Sequence, residues 1–345
     1  MSNYLHKIWI ALIGISSLVY GQIAVSAQSR VGICQRHFTD SSRSNWLGNG
    51  PRPIGATIWY PADSGGKPEL ITDSLQLPEP VTVFQDASLS HGQKYYPLIL
   101  ISHGAQSHAR DMRWMAYYLA LHGYIAITVD HNGTDRQERK LHAMTLSDFC
   151  MWVRPKDLSV VLDKILQDNL FAGHIDTGRI GAAGFSLGGA TAIWIAGARL
   201  NLRHLGKHSP KPPEYLQSDI SRFLSLSKTD PVVKEAIRHA GDDYRDRRIK
   251  AVFALAPAIG QGFTKKGLKS IHIPVQVVVG SEDIVAPKAT NAAHYVQNIP
   301  TALPLIVLPG ERGHYTHPPD HGHTRAQELQ EVSALAYAFF RQILK

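Results

Sequence analysis

Residues 179–189 read Arg-Ile-Gly-Ala-Ala-Gly-Phe-Ser-Leu-Gly-Gly. The stretch is short and apolar up to Phe185, breaks at Ser186, and resumes as an apolar run from Ala190 to Ala198. A strand turning sharply into a helix, with a serine at the turn, fits this pattern. Gly184 and Gly188, two residues either side of Ser186, let the backbone pass closely without a Cβ clash. The helix that follows presents free amides and the positive end of its dipole, which favour developing negative charge. A glycine-rich turn that happens to hold serine is a weak signal alone; the strand before and the helix after give it weight.

The rest of the chain has the same rhythm. Short continuous apolar runs, as expected for strands buried on both faces, cover Gly55–Tyr60, Val81–Phe84, Pro97–Ser102, Tyr124–Asp130, Arg179–Phe185, Ile249–Leu255, Ile273–Val279 and Leu303–Leu308. Helical patterns fall between them at 111–122, 156–167, 187–199, 287–296 and 324–344. The alternation predicts an α/β fold with a mostly parallel central sheet of about eight strands and helices on both faces. Residues 63–80, rich in Gly, Pro and Asp, read as a surface loop. Residues 201–246 are too long for a simple connection and carry helical material at 215–226 and 231–239, so they read as a lid-like insertion or a surface excursion.

A serine hydroxyl needs a base to become a nucleophile. On this type of fold the order is serine, acid, histidine. Of eighteen histidines, His314 follows the last predicted strand and precedes the C-terminal helix, where the base belongs; His317, His321 and His323 are its neighbours and rivals. The acid should follow the penultimate strand, where Gly280-Ser281-Glu282-Asp283 stands. Asp283 is preferred over Glu282 for holding the imidazole tautomer. Two backbone donors would bind an oxyanion: the amide of Leu187, and that of Ala105 in the loop Ser102-His103-Gly104-Ala105-Gln106. His103 is read as shaping that loop. Asp130-His131-Asn132-Gly133-Thr134-Asp135 could line a pocket rim; a metal reading of Asp130, His131 and Asp135 lacks a known ligand spacing, so no metal is expected. There is no phosphate-binding loop or dinucleotide fingerprint, and no cofactor is expected.

The N-terminus reads as a secretory signal over residues 1–27, with Lys7, an apolar run from Ile8 to Tyr20, and Val25-Ser26-Ala27 at the cleavage point. The run is short for a full membrane span. An exported chain of residues 28–345 in the periplasm or outside the cell is expected. Cleavage takes the formal charge from +8 to +7. A basic balance can favour transient contact with an anionic surface; nothing in the pattern suits nucleic acid. Cys34 and Cys150 are the only cysteines, and in an oxidising compartment they can form a disulfide or remain two buried thiols.

Taken in order, Val31-Gly32, Arg52-Pro53, Trp59-Tyr60-Pro61, Ile101-Ser102-His103-Gly104, Arg154-Pro155-Lys156-Asp157-Leu158, Gly184 to Gly189, Ala254-Leu255-Ala256-Pro257, Gly280 to Asp283 and Gly313-His314 make a pattern. It resembles the bacterial α/β-hydrolases called predicted dienelactone hydrolases, relatives of platelet-activating factor acetylhydrolases. The resemblance implies the α/β-hydrolase fold and a triad of Ser186, Asp283 and His314. True dienelactone hydrolases use cysteine as nucleophile. Serine here points instead to ordinary carboxylic esters, small-molecule or lipid, with phospholipase, lipase-like acyltransferase and an inactive binding scaffold as alternatives.

Overall fold

All seven residues of the strand Tyr96–Ser102 are buried, and they divide by parity. Leu98 and Leu100 join one apolar cluster, Ile99 and Ile101 another, because successive strand side chains point to opposite faces. Such a strand requires a layer above and a layer below. The computed structural model describes residues 30–134, 143–208, 214, 217–310, 312–314 and 325–345. The expected export signal and its cleavage point at Ala27, Asp135, and His317, His321 and His323 lie outside the described residues.

Ten strands are described: β1 (Arg30–Ser44), β2 (Pro51–Ala62), β3 (Lys67–Ile71), β4 (Val81–Gln85), β5 (Tyr96–Ser102), β6 (Ile125–Asp130), β7 (Ile175–Phe185), β8 (Ile249–Leu255), β9 (Val275–Gly280) and β10 (Ile306–Leu308). They form one sheet in the order β10-β9-β8-β7-β5-β6-β2-β1-β4-β3. The pairings from β10 through to β6 are all parallel. β2 runs antiparallel to β6 and to β1, and β3 antiparallel to β4.

The helices are α1 (Arg113–Leu121), α2 (Ala143–Phe149), α3 (Arg154–Ile165), α4 (Leu187–Ile195), α5 (Leu202–His208), α6 (Gln217–Thr229), α7 (Pro231–Arg238), α8 (Lys265–Leu268), α9 (Ala292–Asn298) and α10 (Arg325–Ile343). Leu158, Val161 and Leu162 of α3 and Ile193 and Trp194 of α4 cover the face that Leu98 and Leu100 share. Met115 and Leu119 of α1 and Val332 and Phe340 of α10 cover the other. Each such side chain contributes about 1.5–3 kcal/mol by leaving water. The two layers therefore hold the parallel strands from both sides and fix the strand ends.

The sheet has two strands more than expected. In β1, only Val31–Cys34 form a continuous buried run, and the remainder is mostly exposed or half-buried, with Asp40 alone buried. β3 is a five-residue edge strand with four exposed positions, inside the stretch read as a loop. Neither carries the apolar run by which the central strands announce themselves.

Of the two alternatives for the cysteines, the structure has Cys34 and Cys150 as buried free thiols. Cys150 lies near Arg52, which pairs in register with Asp40. Asp40 is six positions along β1 from Cys34, about 20 Å of strand. Burial pushes both thiols up to about 12, so both are protonated.

The 201–246 insertion carries α5, α6 and α7. Phe223 of α6 stacks on Phe149 of α2 at 4.9 Å, and the Trp152 indole donates to Ala236 O at 2.6 Å. The Asn201 amide donates to Gly262 O at 2.9 Å. The insertion thus bears on segments either side of the C-terminal ends of the central strands.

Candidate active site

Ser186 stands between β7 and α4 at φ 55°, ψ −118°. A side-chain-bearing residue held there costs about 1–3 kcal/mol, so the surroundings must impose it. Its amide donates to Leu255 O at 2.9 Å, and its carbonyl accepts from Ala258 N at 3.1 Å. Both bonds tie the turn to the end of β8. A Cβ on Gly188 would collide with the Ser102 carbonyl, and one on Gly184 with the backbone of Gly188. The start of α4 is wedged against the end of β5, and only glycine fits. Of five described non-glycine residues with positive φ, four are Gln106, Ser186, Ala256 and Ile259, on the loops after β5, β7 and β8. Backbone strain gathers at one end of the sheet.

The loops after β9 and β10 meet at the same end. Glu282 N donates to Arg312 O at 2.9 Å, which brings the two loops together. His314 Nδ1 then donates to Asp283 Oδ2 at 2.8 Å. Asp283 Oδ1 accepts from Val285 N and Ala286 N at 3.0 and 2.8 Å, so the carboxylate is fixed on both oxygens. This places the imidazole proton on Nδ1 and leaves Nε2 as the basic nitrogen. The His314 ring packs on Phe185, the residue before the serine, with centroids 4.8 Å apart. Ser186, Asp283 and His314 are all buried, yet Ser186 reaches the surface with 9% of its area. Among the described residues Ser186 Oγ makes no hydrogen bond; such contacts often tighten only when substrate is bound. Glu282, the rival carboxylate, is exposed.

Leu187 is the first residue of α4, so its amide is among those with no intrahelical partner. Ala105 is exposed in the loop after β5. A Cβ on the preceding Gly104 would come within 3.6 Å of Ser186 Cβ, so that loop runs directly beside the serine. Asp130 Oδ1 accepts from Ala109 N at 2.7 Å.

Behind the loop is a buried polar cluster that the sequence reading did not assemble, His131 having been read only as part of a pocket rim. Asp157 is fully buried; Arg52 donates to its two oxygens at 2.8 and 2.9 Å, and Arg43 donates to Oδ1 at 2.7 Å. Burial alone would raise this carboxyl, but Arg52 and Arg43 outweigh it and hold it well below the usual carboxylate range. His131 Nδ1 lies 2.9 Å from Asp157 Oδ2, and its Nε2 2.9 Å from Ser102 Oγ. Burial, with the charges of Arg154 and Arg52, lowers His131 from 6.5 to about 4. The neutral ring therefore donates to Asp157 and accepts from Ser102, which occupies both nitrogens. Arg154 and Asp157 stand three apart in the first turn of α3, on the same buried stripe as Leu158, Val161 and Leu162. A charged pair on the apolar face of a helix is the signal that could have found them.

The architecture is the α/β-hydrolase fold, and a solved structure shares it. A ferulic acid esterase from Streptomyces cinnamoneus, 19% identical, matches with a TM-score of 0.64 over 93% of this chain and 92% of its own. No family model matches the chain. Among curated proteins it is similar to a bis(hydroxyethyl) terephthalate hydrolase of Streptomyces coelicolor, 26% identical over 35% of this chain and 34% of that protein. Cutinase 2 of Thermobifida cellulosilytica is 21% identical over 63% of this chain and 62% of its own. A cutinase of Thermobifida fusca is 21% identical over 63% and 51%. The matched regions span from about a third to under two thirds of these curated relatives.

Proposed function

We propose that the chain is an exported serine hydrolase that cleaves carboxylic esters through Ser186, His314 and Asp283. The observation that carries this is the buried Asp283–His314 pair delivered beside a strained serine at a helix N-terminus. The activities of the similar proteins, on terephthalate and ferulate esters and as cutinases, are all ester cleavages and support the same class.

In this mechanism His314 Nε2 takes the Ser186 Oγ proton as the oxygen attacks the ester carbonyl. The amides of Leu187 and Ala105 bind the oxyanion. The imidazolium, stabilised by Asp283, then protonates the leaving alcohol, and water resolves the acyl-enzyme by the same route in reverse. No cofactor takes part. Ile284 and Val285, 85% and 57% exposed, follow the acid directly and would give the site an apolar rim suited to the acyl or aryl part of an ester. The 201–246 insertion is the segment that would limit access.

A fluorophosphonate probe applied to purified residues 28–345 should leave its adduct on Ser186, and His314→Ala should abolish labelling. An adduct elsewhere, or none in a folded sample, overturns the reading. N-terminal sequencing of the protein recovered from its native host should begin at Gln28; retention of residues 1–27 would overturn export by cleavage.

A further inference from the structure

Three side-chain nitrogens converge on the two carbonyls just before Ala105. Arg154 Nη1 donates to His103 O at 2.9 Å and to Gly104 O at 3.4 Å, and Nη2 to Gly104 O at 3.5 Å. His103 Nδ1 donates to the same Gly104 O at 2.7 Å. Gly104 C=O and Ala105 N–H belong to one peptide unit. In a trans peptide the two point in opposite directions, and no peptide bond among the described residues is cis. Two successive carbonyls turned inward towards α3 leave two successive amides turned outward, a concave arrangement that suits an anion. Gln106, at φ 55°, closes the turn. The outward side is the side of Ser186, since a Cβ on Gly104 would lie 3.6 Å from Ser186 Cβ.

The contrast with Arg52 shows that Arg154 is not an ordinary buried ion pair. Arg52 makes a bidentate bridge to Asp157 at 2.8 and 2.9 Å. Arg154 is equally buried, yet its ion-pair partner Asp148 is 3.6 Å away and its Nε has no partner among the described residues. Its close contacts are main-chain carbonyls. A guanidinium taken out of water without a tight carboxylate costs stability. Such a group is a poor way to hold a fold together and a good way to orient and polarise peptide dipoles, because a charged donor on a carbonyl strengthens the N–H of the same amide.

We propose that Arg154 and His103 are positioning residues that clamp the Gly104 carbonyl, so that the Ala105 amide faces the oxyanion formed on Ser186. This rests on the serine-hydrolase reading and goes one step behind it. Neither side chain touches substrate; both act through the peptide they hold.

The test uses residues 28–345 with p-nitrophenyl acetate as substrate and a trifluoromethyl ketone that forms a tetrahedral adduct with serine. Arg154→Met, Arg154→Lys and His103→Asn are compared with the wild-type chain and Ser186→Ala. Arg154→Met should lower kcat about 10- to 100-fold, below the full loss of an oxyanion donor, while KM moves by less than about 3-fold, as for an interaction made in the transition state. Affinity for the ketone should fall by the same factor as kcat. Arg154→Lys, which keeps a charge but cannot fork across two carbonyls, should fall between. If Arg154→Met does not fold, Arg154→Lys and His103→Asn carry the same comparison. A folded variant with unchanged kcat, or a fall in kcat with ketone affinity unchanged, overturns the clamp. Turnover by Ser186→Ala overturns the hydrolase reading itself, so the two failures are distinguishable.

Discussion

Among the described residues, two buried serine–histidine–aspartate sets invite comparison. Ser102, His131 and Asp157 are linked by two hydrogen bonds of 2.9 Å. In the set of Ser186, His314 and Asp283, the histidine–carboxylate bond is 2.8 Å. The set around Ser102 has the more complete described hydrogen bonding and, on the proposed reading, the worse chemistry. Ser102 lies within a regular strand with no exposure, whereas Ser186 is at φ 55° before a helix and keeps 9% of its area exposed. Asp157 is neutralised by Arg52 and Arg43, and His131 is a weak base at about 4. His314 faces one carboxylate and no described arginine hydrogen bond. Three residue types in the right order of contact do not make a nucleophile; the backbone at the serine and access to it decide.

The largest break in that comparison should come from the serines. Ser186→Ala should lower kcat on p-nitrophenyl acetate by about 10⁴-fold or more with little change in the urea midpoint; residual turnover within 100-fold of wild type would put the chemistry elsewhere. Asp157→Ala should act on stability instead. It leaves Arg52 buried with no carboxylate and Arg43 with Asp40 alone, a loss of about 3–5 kcal/mol, read from urea unfolding at pH 7. An unchanged midpoint would mean that the arginines find other partners.

Acid should separate the sets as well. His131 titrates at about 4 when folded and near 6.5 when free, so between those values the unfolded chain binds more protons. Stability is complete above about pH 6.5 and is lost as pH falls towards 4, by about 3 kcal/mol for this residue. His103, which burial and the Arg154 charge push well below its usual value, adds in the same direction. The urea midpoint should drop between pH 7 and 4.5, and drop less in His131→Gln; equal drops would clear His131. The smallest effect is expected from Ser102→Ala, about 1 kcal/mol for one hydrogen bond, with fluorophosphonate labelling of Ser186 retained.

The sequence makes the first set readable and hides the second, for physical reasons. Ser186, Asp283 and His314 each follow an apolar strand, so their positions come from the alternation of elements. β5, β6, β8 and β9 are short and almost wholly buried, as is the second half of β7, and their bounds fall within a few residues of the expected ones. In the second set the links between Ser102, His131 and Asp157 span 29 and 26 residues, but the arginines that hold Asp157 come from the ribbon of β1 and β2, 114 and 105 residues away. That ribbon is antiparallel and half exposed along β1, so periodicity does not mark it. His131 reads from the sequence as a pocket-rim residue with the metal reading set aside, because a histidine beside aspartates carries no mark of a buried carboxylate partner more than twenty residues on. Arg154 and Asp157 stood in a quoted motif without a role. α2, α5 and α8 are four to seven residues long, and helices so short leave little periodic pattern to read.

The separation of these parts along the chain has a consequence for timing. During synthesis the two arginines emerge first, then the loop at 103–105, the carboxylate at 157 and the serine at 186. Asp283 and His314 come nearly last. Closing contacts across more than 100 residues is entropically slow, and the base is absent until almost the whole chain has been made. A nascent or truncated chain ending before residue 314 would carry the serine with nothing to activate it. On the proposed reading the enzyme is therefore silent while it is being built and exported, and becomes a hydrolase only when its final strand takes its place at the edge of the sheet.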